Sequence, residues 1–375
     1  SGGNAIAVNS SSSAGSISSN VLTSPAKNGI LVYTSSKVTG AITKNTVSSP
    51  KQNGILLDTK STAGSITSNK ISGSGTVGIY LTGGSSSGSI GSNTIQGSGT
   101  AAVSLKIGSK ASSVKNNTIT SPKSYGVAVN SLCSVKGAIS GNTVKSAGGS
   151  GIILSGGTAG SISSNTVSSP KANGITLSGS AVVSGAVSKN TVSKPSQNGI
   201  ALEKGSSAGS ISTNTVTKPG KSGISLYNKA SVSGNITANT VKTPAQYGII
   251  LDLGSSAKGI TKNSISSSGK SGIFLYRKSK LTASISGNTV KSSKRHGIAL
   301  ETGSSVNSIS TNTIKTTTNR AISLTDSSKA AGNMQKNTIT TAKAGIFADK
   351  TSKVAGKIKG NVFKGVAKKA QVTVN

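Results

Sequence analysis

Acid–base chemistry in this chain would have to rest on very few groups. Its 375 residues hold six carboxylates, Asp58, Glu203, Asp252, Glu301, Asp326 and Asp349, and one histidine, His296. Glu203, Asp252 and Glu301 recur 49 residues apart. On alternate coils of a stacked strand they would stand about 9.6 Å apart, near the carboxylate separation of an inverting glycosidase. A working pair needs one buried, raised carboxylate and one solvated one, and copies in repeated contexts are hard to tune apart. A duplicated surface acid paired with surrounding lysines is the better expectation.

The three arginines, Arg277, Arg295 and Arg320, fall in the same stretch as His296, Glu301 and Asp326. Arg295, His296, Glu301, Arg320 and Asp326 therefore form the one candidate ligand cluster. His296 and Arg320 would precede a strand that Glu301 and Asp326 end, so four residues, or about 13 Å, should separate the two groups. That is too long for one proton relay, and no catalytic residue is assigned. There is no CxxC, HExxH, phosphate loop or nucleophile elbow, and one histidine makes no ordinary metal site. No metal and no cofactor are expected. Cys133, the single cysteine, excludes an intrachain disulfide.

The elements that must carry these residues follow from a repeat. Asn20, Asn45, Asn69, Asn93, Asn117, Asn142, Asn165, Asn190, Asn214, Asn239, Asn263, Asn288, Asn312, Asn337 and Asn361 recur at gaps of 23, 24 or 25 residues. Around each runs one phrase, as in Gly199-Ile200-Ala201-Leu202 followed by Ile211-Ser212-Thr213-Asn214-Thr215-Val216. Apolar residues two apart demand strands, and a unit this short suits one turn of a parallel β-helix. About fifteen such coils at roughly 4.8 Å would make a rod near 70 Å long. From Asn165 onward, ladder positions two coils apart differ by 49 residues, which indicates duplication of a double coil.

The ladder asparagine is expected to adopt the left-handed conformation at a bend, with stacked amides bonding coil to coil. A glycine before the leading Ile, as at Gly29, Gly54, Gly78, Gly199 and Gly248, is read as a tight corner. Ala5, Ala102 and Ala321 replace it in three copies. All seven prolines lie five residues after a ladder Asn, where a missing N–H does least harm.

The Gly-Ile-x-Leu and Ile-x-x-Asn-x-Val pattern resembles right-handed parallel β-helix repeats of the pectate-lyase-like class. The resemblance covers essentially the whole chain. It implies an all-β fold, a single right-handed parallel β-helix of about 15 coils of 24–25 residues, with residues 1–375 as one continuous domain without separate caps. That class includes polysaccharide lyases, glycosidases, phage tailspikes, adhesins and structural surface proteins, so the resemblance constrains function weakly. Its lyases use a calcium cluster of acids on neighbouring coils plus a basic residue, and no such acid cluster is evident here. The chain is therefore expected not to be an enzyme.

Charge bounds the partners. Forty-one Lys and Arg against six acids leave a net charge of +35, and 38 of the basic residues are Lys. Such a surface should attract anionic polysaccharide or cell-wall polymer in a diffuse manner. Specific nucleic-acid readout, which favours bidentate Arg and aromatic stacking, is not expected. Thr pairs such as Thr215 and Thr217 resemble ice-binding arrays, yet Lys145, Lys242, Lys291 and Lys315 interrupt them. No run of about 20 apolar residues could span a membrane.

The ends suggest self-association. Ile6, Val8 and Asn9 open the chain as Val372, Val374 and Asn375 close it, so uncapped coils could stack head to tail into a homopolymer. The expectation is an extracellular or cell-surface bacterial filament protein. A polysaccharide-binding stalk or adhesin and a pectate-lyase-like carbohydrate-active enzyme are the alternatives.

Overall fold

The computed structural model describes residues 3–372, and their regular structure is entirely β-strand. The chain comprises two compact units, Ser1–Ala186 and Val187–Asn375. Each is a parallel β-solenoid built from the same three-stranded coil.

In unit two a representative coil runs through a leading strand, Ile200–Glu203, a middle strand, Ser207–Ser212, and a short closing strand, Thr215–Thr217. Each pairs in parallel with its copy one coil later, with Ile200 opposite Ile224, Ser207 opposite Ser231 and Thr215 opposite Thr240. Unit one repeats the arrangement, with Ile55 opposite Ile79, Thr62 opposite Ser86 and Lys70 opposite Thr94. Alternating side chains enter the coil, where Ile200, Leu202, Ile211 and Val216 are all buried. Aliphatic residues suffice because the three strands face one another across a narrow interior. The alternation of coil length is absorbed in the middle strand. Between Ala208 and Ile211 the pairing with Ser231–Thr237 slips by one residue, a bulge that stores the extra residue without moving the core positions.

The asparagine ladder forms as expected. Asn239 Nδ2 donates to Asn263 Oδ1 at 2.9 Å and to Ile211 O at 2.9 Å, while Asn239 N donates to the same Asn263 Oδ1 at 2.9 Å. Each amide oxygen thus accepts twice from the coil before it. The left-handed residue, however, is the one that precedes the ladder Asn. Ser19, Lys44, Ser68, Ser92, Asn116, Ser164, Lys189, Thr213 and Ala238 take φ of 54 to 59° there. The turn lifts the chain out of the middle strand one residue early, and this leaves the Asn backbone N–H pointing along the stack at the next amide.

The conserved-spacing glycines are also corrected in their cause. Gly78 does not take positive φ, but a Cβ on it would lie 2.6 Å from Ala102 O and 2.6 Å from Ile95 Cγ2. Close approach of the next coil and of the closing strand's core side chain excludes a side chain there. The prolines do follow the closing strand, as Pro25 follows Val21–Thr23 and Ser24. Cys133 is buried one coil after Ser109, a small side chain in a serine position.

The first predicted end strand, Ile6–Val8, pairs with Ile30–Val32, and Asn9 follows it. At the other end Val372 pairs with Ala348. Val374 and Asn375 lie outside the described residues.

Candidate functional site

The leading strands of unit two place alternate side chains on the outside of the coil. Strand pairing aligns Phe274, Ala299, Ser323 and Phe347 in one outward row on four successive coils. Two small residues between two phenylalanines open a depression, and charged side chains from both ends of the strands fold into it.

Arg295, two residues before the corner Gly297, reaches across Ala299 to Glu301 at the far end of the same strand. Arg295 Nη2 and Glu301 Oε1 are 2.8 Å apart. The 13 Å expected between His296 or Arg320 and Glu301 or Asp326 was a backbone distance; Arg295, one residue before His296, spans the strand because two long, flexible side chains meet over a floor that is only a methyl group. The Arg295 side chain is 44% exposed and that of Glu301 12%, so the guanidinium faces solvent while the carboxylate sits beneath it. Desolvation pushes the Glu301 carboxyl above its usual range; the Arg295 charge opposes that and the Asp326 charge adds to it.

One coil later Arg320 donates its backbone N–H to His296 Nδ1 at 3.3 Å, and its Nη1 donates to Ser323 Oγ at 3.3 Å. Its guanidinium carbon lies 3.4 Å from the Phe347 ring centroid, a stacked cation–π contact. His296 is only 2% exposed. Burial, reinforced by the Arg295 and Arg320 charges, lowers its pKa to about 4, so it is a neutral ring at neutral pH. Asp326 stays on the exposed turn with φ of 55°, where its N–H donates to Asp349 Oδ2 at 2.9 Å.

The sequence reading missed the aromatic part of this site. Tyr247 stacks on Phe274 with centroids 4.9 Å apart, and Phe274 on Tyr276 at 5.3 Å. Arg295 lies 5.9 Å from the Phe274 centroid, and Arg277 4.9 Å from that of Tyr276. Four of the chain's nine aromatic residues, Tyr247, Phe274, Tyr276 and Phe347, thus surround three of three arginines. That coincidence was the available signal. The acids are corrected too. Asp252 pairs with Arg277 through two bonds of 2.7 and 2.6 Å, so arginines rather than lysines hold Asp252 and Glu301. Among the described residues no group of three or more His, Cys, Asp or Glu could hold a metal ion.

The family model described as the right handed beta helix region matches residues 4–167, 134–284 and 205–363. The chain belongs to the right-handed β-helix family. Two solved variants of the periplasmic alginate epimerase AlgG, one singly and one doubly substituted, superpose with a TM-score of 0.51 each. They are 15% and 14% identical to this β-helix, and each match covers 86% of this chain and 78% of the other. No curated protein sequence matches it. These neighbours carry a carbohydrate-active name, and the charged and aromatic groups of this chain gather on a lateral strand face. The expectation of a non-enzymatic head-to-tail filament is corrected accordingly, since end-strand similarity followed from the repeat itself and needed no assembly to explain it. Among the described residues no helix is long and apolar enough to cross a membrane.

Proposed function

We propose that this β-helix is an exported carbohydrate-active protein that takes an anionic, uronate-type polysaccharide on the Phe274–Phe347 face and abstracts the proton beside a sugar carboxylate. The observation that carries this reading is the Arg295–Glu301 pair. A carboxylate raised in pKa by desolvation is held by a guanidinium that is itself open to solvent. A uronate carboxylate that reaches Arg295 competes for the same donors. Glu301 is then released as a base of raised proton affinity, suited to taking a proton from carbon.

The neighbouring groups fit the rest of the step. Arg295 and Arg320 neutralise the substrate carboxylate as the C–H electron pair moves into it and the proton passes to Glu301. The pair then either takes a proton from solvent water on the opposite face, which inverts the carbon and leaves a hydroxide that the proton on Glu301 neutralises, or forms a carbon–carbon double bond and expels the adjacent glycosidic oxygen, which takes up the proton held by Glu301. The half-buried Tyr247 and Tyr276, stacked on either side of the buried Phe274, offer apolar surface to neighbouring sugar rings. His296, neutral and buried, orients the Arg320 backbone and carries no proton in the step. The net charge of +35 brings a polyanion to the surface at low salt. The AlgG neighbours, called periplasmic alginate epimerases, support export and a uronate substrate.

The test is incubation with alginate and with polygalacturonate, read for new unsaturated ends and for changed uronate stereochemistry. Glu301→Gln should keep polysaccharide binding and lose turnover by about a hundredfold or more. Binding without any turnover in the unsubstituted chain would leave a polysaccharide-binding protein and sink the catalytic reading.

A further inference from the structure

Unit one carries its own version of the bulky–small–small–bulky row. Strand pairing aligns Tyr80, Ser104, Ala128 and Ile153 on four successive coils. Here no arginine or carboxylate folds into the gap. What remains is an open cavity of about 250 Å³, lined by Thr100, Ser104, Lys106, Tyr125, Ala128 and Asn130 among others. Ser104 and Ala128 are buried and form its floor. Two coils at about 4.8 Å give it a width of roughly 10 Å, the scale of one pyranose ring.

The chemistry of its walls is mixed in a defined way. Tyr125 and Ala128 offer apolar surface, while Thr100, Ser104 and Asn130 offer hydroxyl and amide groups. Asn130 Nδ2 donates to Leu105 O at 3.0 Å, which fixes the amide. Lys106 is the one charged residue of the lining, and no carboxylate belongs to it. The turn that follows holds two large apolar side chains out in water. Ile107, next to Lys106, is 68% exposed, and Leu132, two residues after Asn130, is 85% exposed. Both sit in the left-handed region, at φ of 52° and 64°, where a β-branched Ile is costly. The same turn is left-handed in other coils, as at Thr59, Lys60, Lys204 and Leu253, so the bend belongs to the repeat, and what sets this turn apart is the pair of apolar side chains held in water beside the cavity.

We infer that this cavity is a non-catalytic saccharide site that binds one uronate-type pyranose residue. The ring packs on Tyr125 and Ala128, its hydroxyls exchange hydrogen bonds with Thr100, Ser104 and Asn130, and its carboxylate pairs with Lys106. Without an acid or base in the lining, the site holds sugar and does not transform it. This goes beyond the proposed catalytic face, which lies in the other unit and depends on different residues.

The experiment is an NMR titration of the full chain, labelled at its tyrosine rings, with short alginate oligosaccharides and with neutral cello-oligosaccharides. Tyr125→Phe assigns the decisive ring signal. The Tyr125 signal should shift with alginate oligosaccharide, and Ala128→Phe, which fills the floor from outside the core, should weaken that binding about tenfold or more. Lys106→Gln, at a surface residue with no folding role, should weaken the uronate about threefold to fivefold and leave the neutral sugar unchanged. Glu301→Gln and Arg295→Ala should leave the Tyr125 response intact, so failure of the catalytic reading and failure of this one are separable. A Tyr125 ring that does not respond while those of Tyr247 and Tyr276 do would overturn the inference. So would a response unaltered by Lys106→Gln and by Ala128→Phe.

Discussion

Arg295 and Glu301 begin and end one outward strand face, yet their side chains meet at 2.8 Å above Ala299. The contact depends on the methyl floor as much as on the charges. Replacing Ala299 by Phe, the residue found one coil earlier at Phe274, should wedge the two apart without disturbing the core. Polyuronate turnover should then fall as it does in Glu301→Gln, while the thermal midpoint changes little. Measured turnover together with a circular dichroism melt checks both halves.

The Glu301 carboxyl lies above its usual range because it is desolvated, and Arg295 limits the rise. Arg295→Ala should therefore raise its pKa further. A carboxyl titration by NMR on the two proteins reads this directly, and a downward move would contradict the geometry.

His296 gives a stability signature on the acid side. Its pKa is lowered from 6.5 to about 4 in the folded chain, so the unfolded state binds the proton first as pH falls. The contribution is fully present above 6.5 and is lost progressively down to about 4, amounting to roughly 3 kcal/mol at the limit. Glu301, shifted upward, works in the opposite sense: protonation on acidification favours its folded form. His296→Asn should flatten the loss between these pH values, which chemical denaturation at stepped pH would show.

The ladder and the corners separate two roles that glycine and asparagine share elsewhere. Asn239→Ala strands the N–H and amide of Asn214, both donated to Asn239 Oδ1 at 3.0 and 2.9 Å. Leaving two buried donors unpaired should cost about 2–5 kcal/mol. Gly78→Ala should also destabilise, because its Cβ would collide with Ala102 O and Ile95. Ala238→Gly should do the reverse and stabilise by about 0.5–1 kcal/mol, since Ala238 holds φ of 54°. Denaturant midpoints for the three variants decide the matter.

The fold was legible in the chain because the solenoid repeats its physics in every coil. Ile200, Leu202, Ile211 and Val216 announce two-residue alternation, and the spacing of Asn214 to Asn239 announces the stacking distance in sequence. Finer causes were hidden. Asn239 was assigned a backbone conformation that Ala238 carries, because a side-chain ladder and a left-handed turn at adjacent positions leave the same mark in sequence. Gly78 looked like a turn glycine, and only three-dimensional closeness to Ile95 shows that it is a packing glycine. The site was half legible. Arg295, His296, Glu301 and Arg320 stood out by rarity, but rise per residue measures backbone and ignores the reach of Arg and Glu side chains. The role of Phe274 and Phe347 was invisible until the register between coils set them on either side of Ala299 and Ser323.

The central claim is proton abstraction beside a uronate carboxylate by Glu301. Alginate incubated with the full chain in deuterium oxide tests it most directly, with proton NMR following exchange at the carbon that bears the carboxylate. The account predicts loss of that carbon's proton signal, with deuterium in its place where the carbon inverts or a new unsaturated end where the chain is cleaved, and no such loss in Glu301→Gln while the polymer still binds. Undiminished loss of that proton in Glu301→Gln, or no loss in the unsubstituted protein with alginate or polygalacturonate bound, would contradict it.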